Sequence, residues 1–132
     1  PAEIESARLM MLEEFSQVRN PGFQNYQLIG VAGTVTTLAC LDQHLQEFDI
    51  EKVSGYAMTR ENIARWAMKL SMMDTNSIHD LSSTTEGRAD ILAAGALILS
   101  EFMNHFGCMT ITTSERGLRY GLVLREWKRA HL

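Results

Sequence analysis

Three short segments of this chain hold the residue types that bind phosphate: Gly30-Val31-Ala32-Gly33-Thr34, Arg88-Ala89-Asp90, and Ser114-Glu115-Arg116-Gly117-Leu118-Arg119. In the first, an apolar run from Leu28 to Val31 passes through glycines into the hydroxyls of Thr34, Thr36 and Thr37. A strand that ends this way opens a helix whose first backbone N–H groups stabilise an anion at the strand's carboxyl end. The glycine pattern lacks the lysine of a phosphate loop and the third glycine of a dinucleotide fingerprint. Taken alone it also fits close packing of strand on helix, with Thr34 as the cap. In the second segment Asp90 suits a helix start, whereas Arg88 does not, because a cation is disfavoured at the positive end of the helix dipole. Its anion is either Glu86 or Asp90 beside it, or a ligand phosphate matched to the guanidinium fork. The third segment again sets a serine, Ser114, at a strand end, with Arg119 on the first turn of the next helix. Gly117 and Gly121 share a face of that helix, which allows close backbone approach or tight helix packing.

The intervening sequence supplies elements to position these groups. Residues 2–19 carry apolar side chains at helical spacing (Ile4, Leu9, Met10, Leu12, Phe15 and Val18), with Pro1 tolerated at the start and Asn20-Pro21-Gly22 as the stop. Tyr26–Val31 reads as a strand, Thr34–Leu45 as a helix, and Val53–Met58 as a short extended piece. Thr59 caps a helix carrying Ile63, Trp66, Ala67 and Leu70, with Glu61 in its first turn. Asp74–Glu86 is polar and rich in hydroxyls, as a loop is. Arg88–Phe106 is the longest apolar helix, packing through Ala93, Ala94, Gly95 and Ala96 and ending at Gly107. Cys108–Thr113 reads as a second core strand, and a last helix runs through Leu118, Leu122 and Trp127. Strands separated by helices predict parallel pairing and an α/β fold. Two core strands are too few for a parallel sheet, which is buried on both faces, so the chain is expected to be one partial domain (residues 1–132) of a larger α/β protein. A small helical protein with a minimal sheet is the other solution.

Composition narrows the function classes. A net charge of −4 over 132 residues excludes a general nucleic-acid or membrane binder, which needs a basic face. It does not exclude a phosphate site where a few cations and backbone dipoles are focused. There is no signal-peptide pattern, and no apolar run approaches the roughly 18 residues of a membrane span. Cys40 and Cys108 lie in apolar runs and read as buried free thiols of a reducing, cytoplasmic setting. His44, His79, His105 and His131 have no metal-ligand spacing, so no metal site is expected within the chain. Met10, Met11, Met68, Met72, Met73 and Met103 fall in helical segments, as filler of a core or an interface.

Taken in order, the three segments resemble the exopolyphosphatase and guanosine pentaphosphate phosphohydrolase family. That family has GxGGTxTTLA-, RADxIxxGxxIL- and SxxGLRxGL-type segments in one domain. They correspond here to Gly30–Ala39, Arg88–Leu99 and Ser114–Leu122, and Val53-Ser54-Gly55-Tyr56 also fits. Ala32 departs from the pattern where a second glycine is usual, which restricts the turn and how closely its backbone approaches phosphate. The resemblance implies an actin-like ATPase (ribonuclease H-like) fold with two such domains across a cleft, this chain being the later part of the second. It implies hydrolysis of terminal phosphate from polyphosphate or guanosine pentaphosphate, with Mg²⁺ held by loops and carboxylates outside this chain. Gly33, Thr34, Arg88, Ser114 and Arg119 would then bind phosphate, and no catalytic residue lies in the chain, which alone would be inactive. A non-hydrolytic actin-like nucleotide-binding or scaffold domain is the alternative. Removal of neighbouring strands would also expose an edge and the Met10, Met11 and Phe15 face of the first helix, predicting a homo-oligomer.

Overall fold

The computed structural model describes residues 2–20, 22 and 26–132. Its elements run α1 (Ala2–Ser16), β1 (Ile29–Val31), α2 (Gly33–Asp42), α3 (Ile50–Val53), β2 (Ala57–Thr59), α4 (Arg60–Ser71), α5 (Thr75–His79), a 3-10 turn (Ser83–Thr85), α6 (Ala89–Phe106), β3 (Thr110–Ser114) and α7 (Leu118–His131). The expected roles of Pro1 and Pro21 fall outside the described residues, as does the stretch between Gly22 and Tyr26.

The three strands form one sheet in the order β1-β3-β2. β1 and β3 pair in parallel, Ile29 opposite Thr112 and Val31 opposite Ser114. β2 runs antiparallel to β3, with Met58 opposite Ile111. All-parallel pairing is therefore corrected to a mixed sheet. The extended piece also begins later than expected, because Asp49 caps α3 through the N–H groups of Glu51 and Lys52 and holds residues up to Val53 in a helix. Asp74–Glu86 is likewise not a plain loop. Asp74 accepts the Ser77 N–H and starts α5, and Ser82 starts the 3-10 turn.

Two helix boundaries follow the local chemistry read from sequence. Thr59 accepts the N–H of Asn62 at the start of α4, and Gly107 closes α6 in the left-handed conformation at φ 71°. α2, α4 and α6 close over one face of the sheet, where Leu38, Met58, Ile63, Leu70, Leu92, Met103 and Ile111 are fully buried. α1 buries no residue and is held to α6 by an edge-to-face pair of Phe15 on Phe102 and by Arg8 Nε on the buried Glu101 carboxylate at 2.8 Å. Phe15 therefore faces α6, Met11 is half-buried like it, and of the expected Met10, Met11 and Phe15 face only Met10 is exposed. Met68 and Met72 are exposed and fill no core. Among the described residues no helix is long and apolar enough to cross a membrane.

Candidate functional site

The end of β1 and the start of α2 form the site's floor. The turn between them is carried by Ala32 at φ 71° and ψ −178°, a region populated almost only by glycine. Alanine here adopts a glycine conformation under strain. Ala32 is the N-cap of α2 and provides no side-chain hydrogen bond, so Thr34 is not the cap. The helix begins with the backbone N–H groups of its first turn lacking intrahelical acceptors. The Thr36 hydroxyl is turned back toward the Ala32 and Gly33 carbonyls, both at 3.2 Å.

Arg88 reaches this point from the other side of the fold. It is the N-cap residue of α6, and its guanidinium lies against the Cα of Gly33, so that a methyl there would overlap Nη1. Among the described residues Arg88 makes no ion pair, with Glu86, Asp90 or any other acid. Its Nε is buried and has no hydrogen-bond partner among the described residues. A buried donor without a partner costs about 1–3 kcal/mol. The arrangement places an unneutralised guanidinium and a helix N-terminus side by side. Thr34 completes the corner: its side chain lies on Gly95 of α6, where a Cβ would come within 2.6 Å of Oγ1. Gly95, two turns into α6, thus lets Thr34 at the start of α2 approach that helix, and Gly33 leaves room for the arginine head.

The structure divides the five expected phosphate residues into two groups. Gly33, Thr34 and Arg88 converge. Ser114 pairs with Val31 at the parallel strand ends, and its hydroxyl accepts the Arg116 N–H at 3.1 Å. Arg119 lines an open groove of about 830 Å³ between α7 and the β1 end, together with Ala32, Tyr120 and Trp127. Arg116 is engaged by Glu115 at 3.1 Å. Gly117 and Gly121 have open space where a Cβ would stand, so among the described residues neither makes the tight helix contact that was one of their two readings.

Cys40 and Cys108 are free and buried, and burial pushes both thiols up from their ordinary value. They are not poised as nucleophiles. Among the described residues no three His, Cys, Asp or Glu side chains converge to hold a metal ion, and these residues do not fit Mg²⁺. Sequence reasoning missed two polar clusters. One is the run Ser82-Ser83-Thr84-Thr85, which was legible only as a hydroxyl-rich loop. The other surrounds Asp42, whose Oδ2 accepts from the Tyr56 hydroxyl (2.9 Å) and Asn62 Nδ2 (3.1 Å) and whose Oδ1 accepts from Trp66 Nε1 (2.9 Å).

Comparison with known proteins gives this geometry a lineage. Bifunctional 3-dehydroquinate synthase/phosphatase of Fusobacterium nucleatum is 29% identical over 116 residues, 88% of this chain and 16% of that protein. Exopolyphosphatase 2 of Mycobacterium tuberculosis is 26% identical over 100 residues, 73% of this chain and 31% of that protein. A Ppx/GppA family member from Aquifex aeolicus superposes with a TM-score of 0.91 at 25% identity, over 99% of this chain and 42% of the solved one. The chain thus spans less than half of each of these relatives. Its α/β architecture, with a small mixed sheet and many helices, is that of an actin-like ATPase-fold family. The Ppx/GppA phosphatase family profile matches residues 2–130, and the chain belongs to that family.

Proposed function

We propose that this chain is the phosphate-binding part of a hydrolase that releases terminal phosphate from inorganic polyphosphate or guanosine pentaphosphate. The observation that carries the reading is the Arg88 guanidinium, seated on Gly33 beside the start of α2 and, among the described residues, in no ion pair. A phosphate placed there accepts from the guanidinium and from the first N–H groups of α2, as two adjacent positive fields favour. In the reaction, water attacks the terminal phosphorus and the bridging P–O bond breaks. The electron pair leaves with the shortened chain, and orthophosphate and a proton are released. Arg88 and the helix start hold the phosphate chain in line and stabilise its charge, which is most of what such a transfer needs from a protein. Activation of water and binding of Mg²⁺ belong, in this reading, to parts of the longer protein outside these residues, so the chain alone is inactive. Family membership and the name of the mycobacterial relative support the substrate class.

The test uses the full-length protein with long-chain polyphosphate and guanosine pentaphosphate, and reads orthophosphate release. Hydrolysis of at least one is expected; hydrolysis of neither overturns the reading in favour of a non-hydrolytic nucleotide-binding protein. Arg88→Ala is expected to weaken substrate binding by about 1.5–3 kcal/mol, as loss of a charge-assisted hydrogen bond does. A lowered melting temperature with intact kinetics would instead make Arg88 a structural residue.

A further inference from the structure

The stretch between α5 and α6 holds four consecutive hydroxyl residues, and each is hydrogen-bonded within the protein. Ser82 Oγ lies 3.2 and 3.1 Å from the Leu45 and Gln46 carbonyls, sharing its proton between them, and accepts the Thr84 N–H at 3.1 Å. Ser83 donates to the Gln46 carbonyl through its hydroxyl (2.8 Å) and its N–H (3.1 Å). The Thr84 hydroxyl is 2.8 Å from Ser82 Oγ. Thr85 Oγ1 lies 2.9 and 2.6 Å from the carbonyls of His79 and Ser82. From the flank of α2, Thr37 Oγ1 donates to the Thr84 carbonyl at 3.3 Å. Ser82, Thr85 and Thr37 are all buried. Burying such groups costs free energy unless every one is satisfied, so a loop whose only task was to close the chain would do as well with apolar side chains.

What the ladder leads to gives it a purpose. The Thr85 carbonyl accepts the Arg88 N–H at 3.2 Å, and Gly87 turns the backbone between them at φ 70°. The backbone of Arg88 is therefore tied, through Thr84 and Thr85, to the flank of α2 and to the chain just beyond its end. The head of the same side chain lies on Gly33, the first residue of α2. One helix holds the arginine at both ends. An arginine side chain carries about 2 kcal/mol of rotamer entropy, and fixing its base and its head beforehand lowers what must be lost when an anion binds.

We propose that Thr37 and Ser82 are positioning residues for Arg88, setting where its guanidinium stands over the start of α2. This rests on the phosphate-binding reading of Arg88 but not on hydrolysis. The experiment titrates tripolyphosphate into the full-length protein by calorimetry, for Thr37→Val, Ser82→Ala and Arg88→Ala and for each of the first two combined with the third. Each ladder substitution is expected to weaken binding by roughly fivefold, and to have no further effect once Arg88 is alanine. Equal losses with and without Arg88, or no loss at all, would overturn the assignment, because a merely structural role lowers both backgrounds alike. Thr37→Ser keeps the hydroxyl and is expected to bind as the wild type does. Should the buried substitutions prevent folding, Ser83→Ala on the exposed side of the same clamp is expected to give a smaller loss that also vanishes without Arg88. If its loss persists without Arg88, the proposal fails. Tripolyphosphate binding with the expected coupling but no phosphate release would reject the hydrolase reading alone. No binding to the wild type would reject the positioning role.

Discussion

The two faces of the three-stranded sheet differ in how far the chain completes them. On one face, α2, α4 and α6 bury Met58 and Ile111 completely and carry the Gly33–Thr34–Arg88 corner at their edge. On the other, Ile29 and Val31 are 56% and 44% exposed, although a parallel pair such as β1 and β3 is normally covered on both sides. α7 flanks that face but buries none of its residues, leaving the apolar groove beside Val31 open. The closed face holds side chains in one geometry, and that is where the candidate chemistry sits. The open face presents apolar surface of the kind that recruits further structure.

The largest expected effect breaks the closed face at Asp42. Its carboxylate is 4% exposed and joins the end of α2 to Tyr56 and to Asn62 and Trp66 of α4. Asp42→Ala leaves a hydroxyl, an amide and an indole N–H without their acceptor, and about 3–4 kcal/mol of stability should be lost by urea denaturation. A loss under about 1 kcal/mol would show that water replaces the carboxylate and that this face is less tightly built than its burial indicates.

A smaller effect separates binding from folding at the corner itself. Gly33→Ala adds a methyl that overlaps Arg88 Nη1, and a flexible side-chain end can move away. Stability should change little, while affinity for tripolyphosphate falls by about 1–2 kcal/mol as the guanidinium is displaced. Unchanged affinity would mean that the arginine head need not stand on Gly33. Ala32→Gly acts in the opposite direction. Relief of backbone strain of about 1–3 kcal/mol, less about 0.5–1 kcal/mol of added chain entropy, predicts a gain near 1 kcal/mol. A loss of stability would contradict the φ of 71° seen at Ala32.

Much of the closed face was legible because its signals are local. Thr59 and Gly107 announce helix boundaries by their own chemistry, and Arg88 stood out as a cation at the wrong end of a dipole. The same reasoning would have exposed Asp42, an acid in the last turn of α2, where the dipole disfavours it. The direction of β2 was not legible, since one short strand between two helical stretches carries no signal for its orientation. Nor was the Arg8–Glu101 pair, whose members are distant in sequence and ordinary in their own segments. The hydroxyl run at Ser82–Thr85 read as a solvated loop because its acceptors, the carbonyls of Leu45 and Gln46, are supplied by the fold.

The smallest expected effect concerns acid and the helix that leads into that run. Asp74 caps α5 by accepting the Ser77 N–H at 2.8 Å and the Ser77 hydroxyl at 3.1 Å, and these bonds hold its carboxyl below the usual carboxylate range. A carboxyl whose pKa is lower folded than unfolded contributes stability above its unfolded value, and loses it as pH falls through the folded value. Acidification below the ordinary carboxylate range should therefore loosen α5, whose His79 carbonyl anchors Thr85. Asp74→Asn keeps an acceptor at the cap but removes the titration. Melting temperature measured against pH should show a flatter acid limb for the variant and nearly the same value at neutral pH. Superimposable profiles would mean that the cap is formed equally by the protonated acid, and that the closed face owes nothing to this charge.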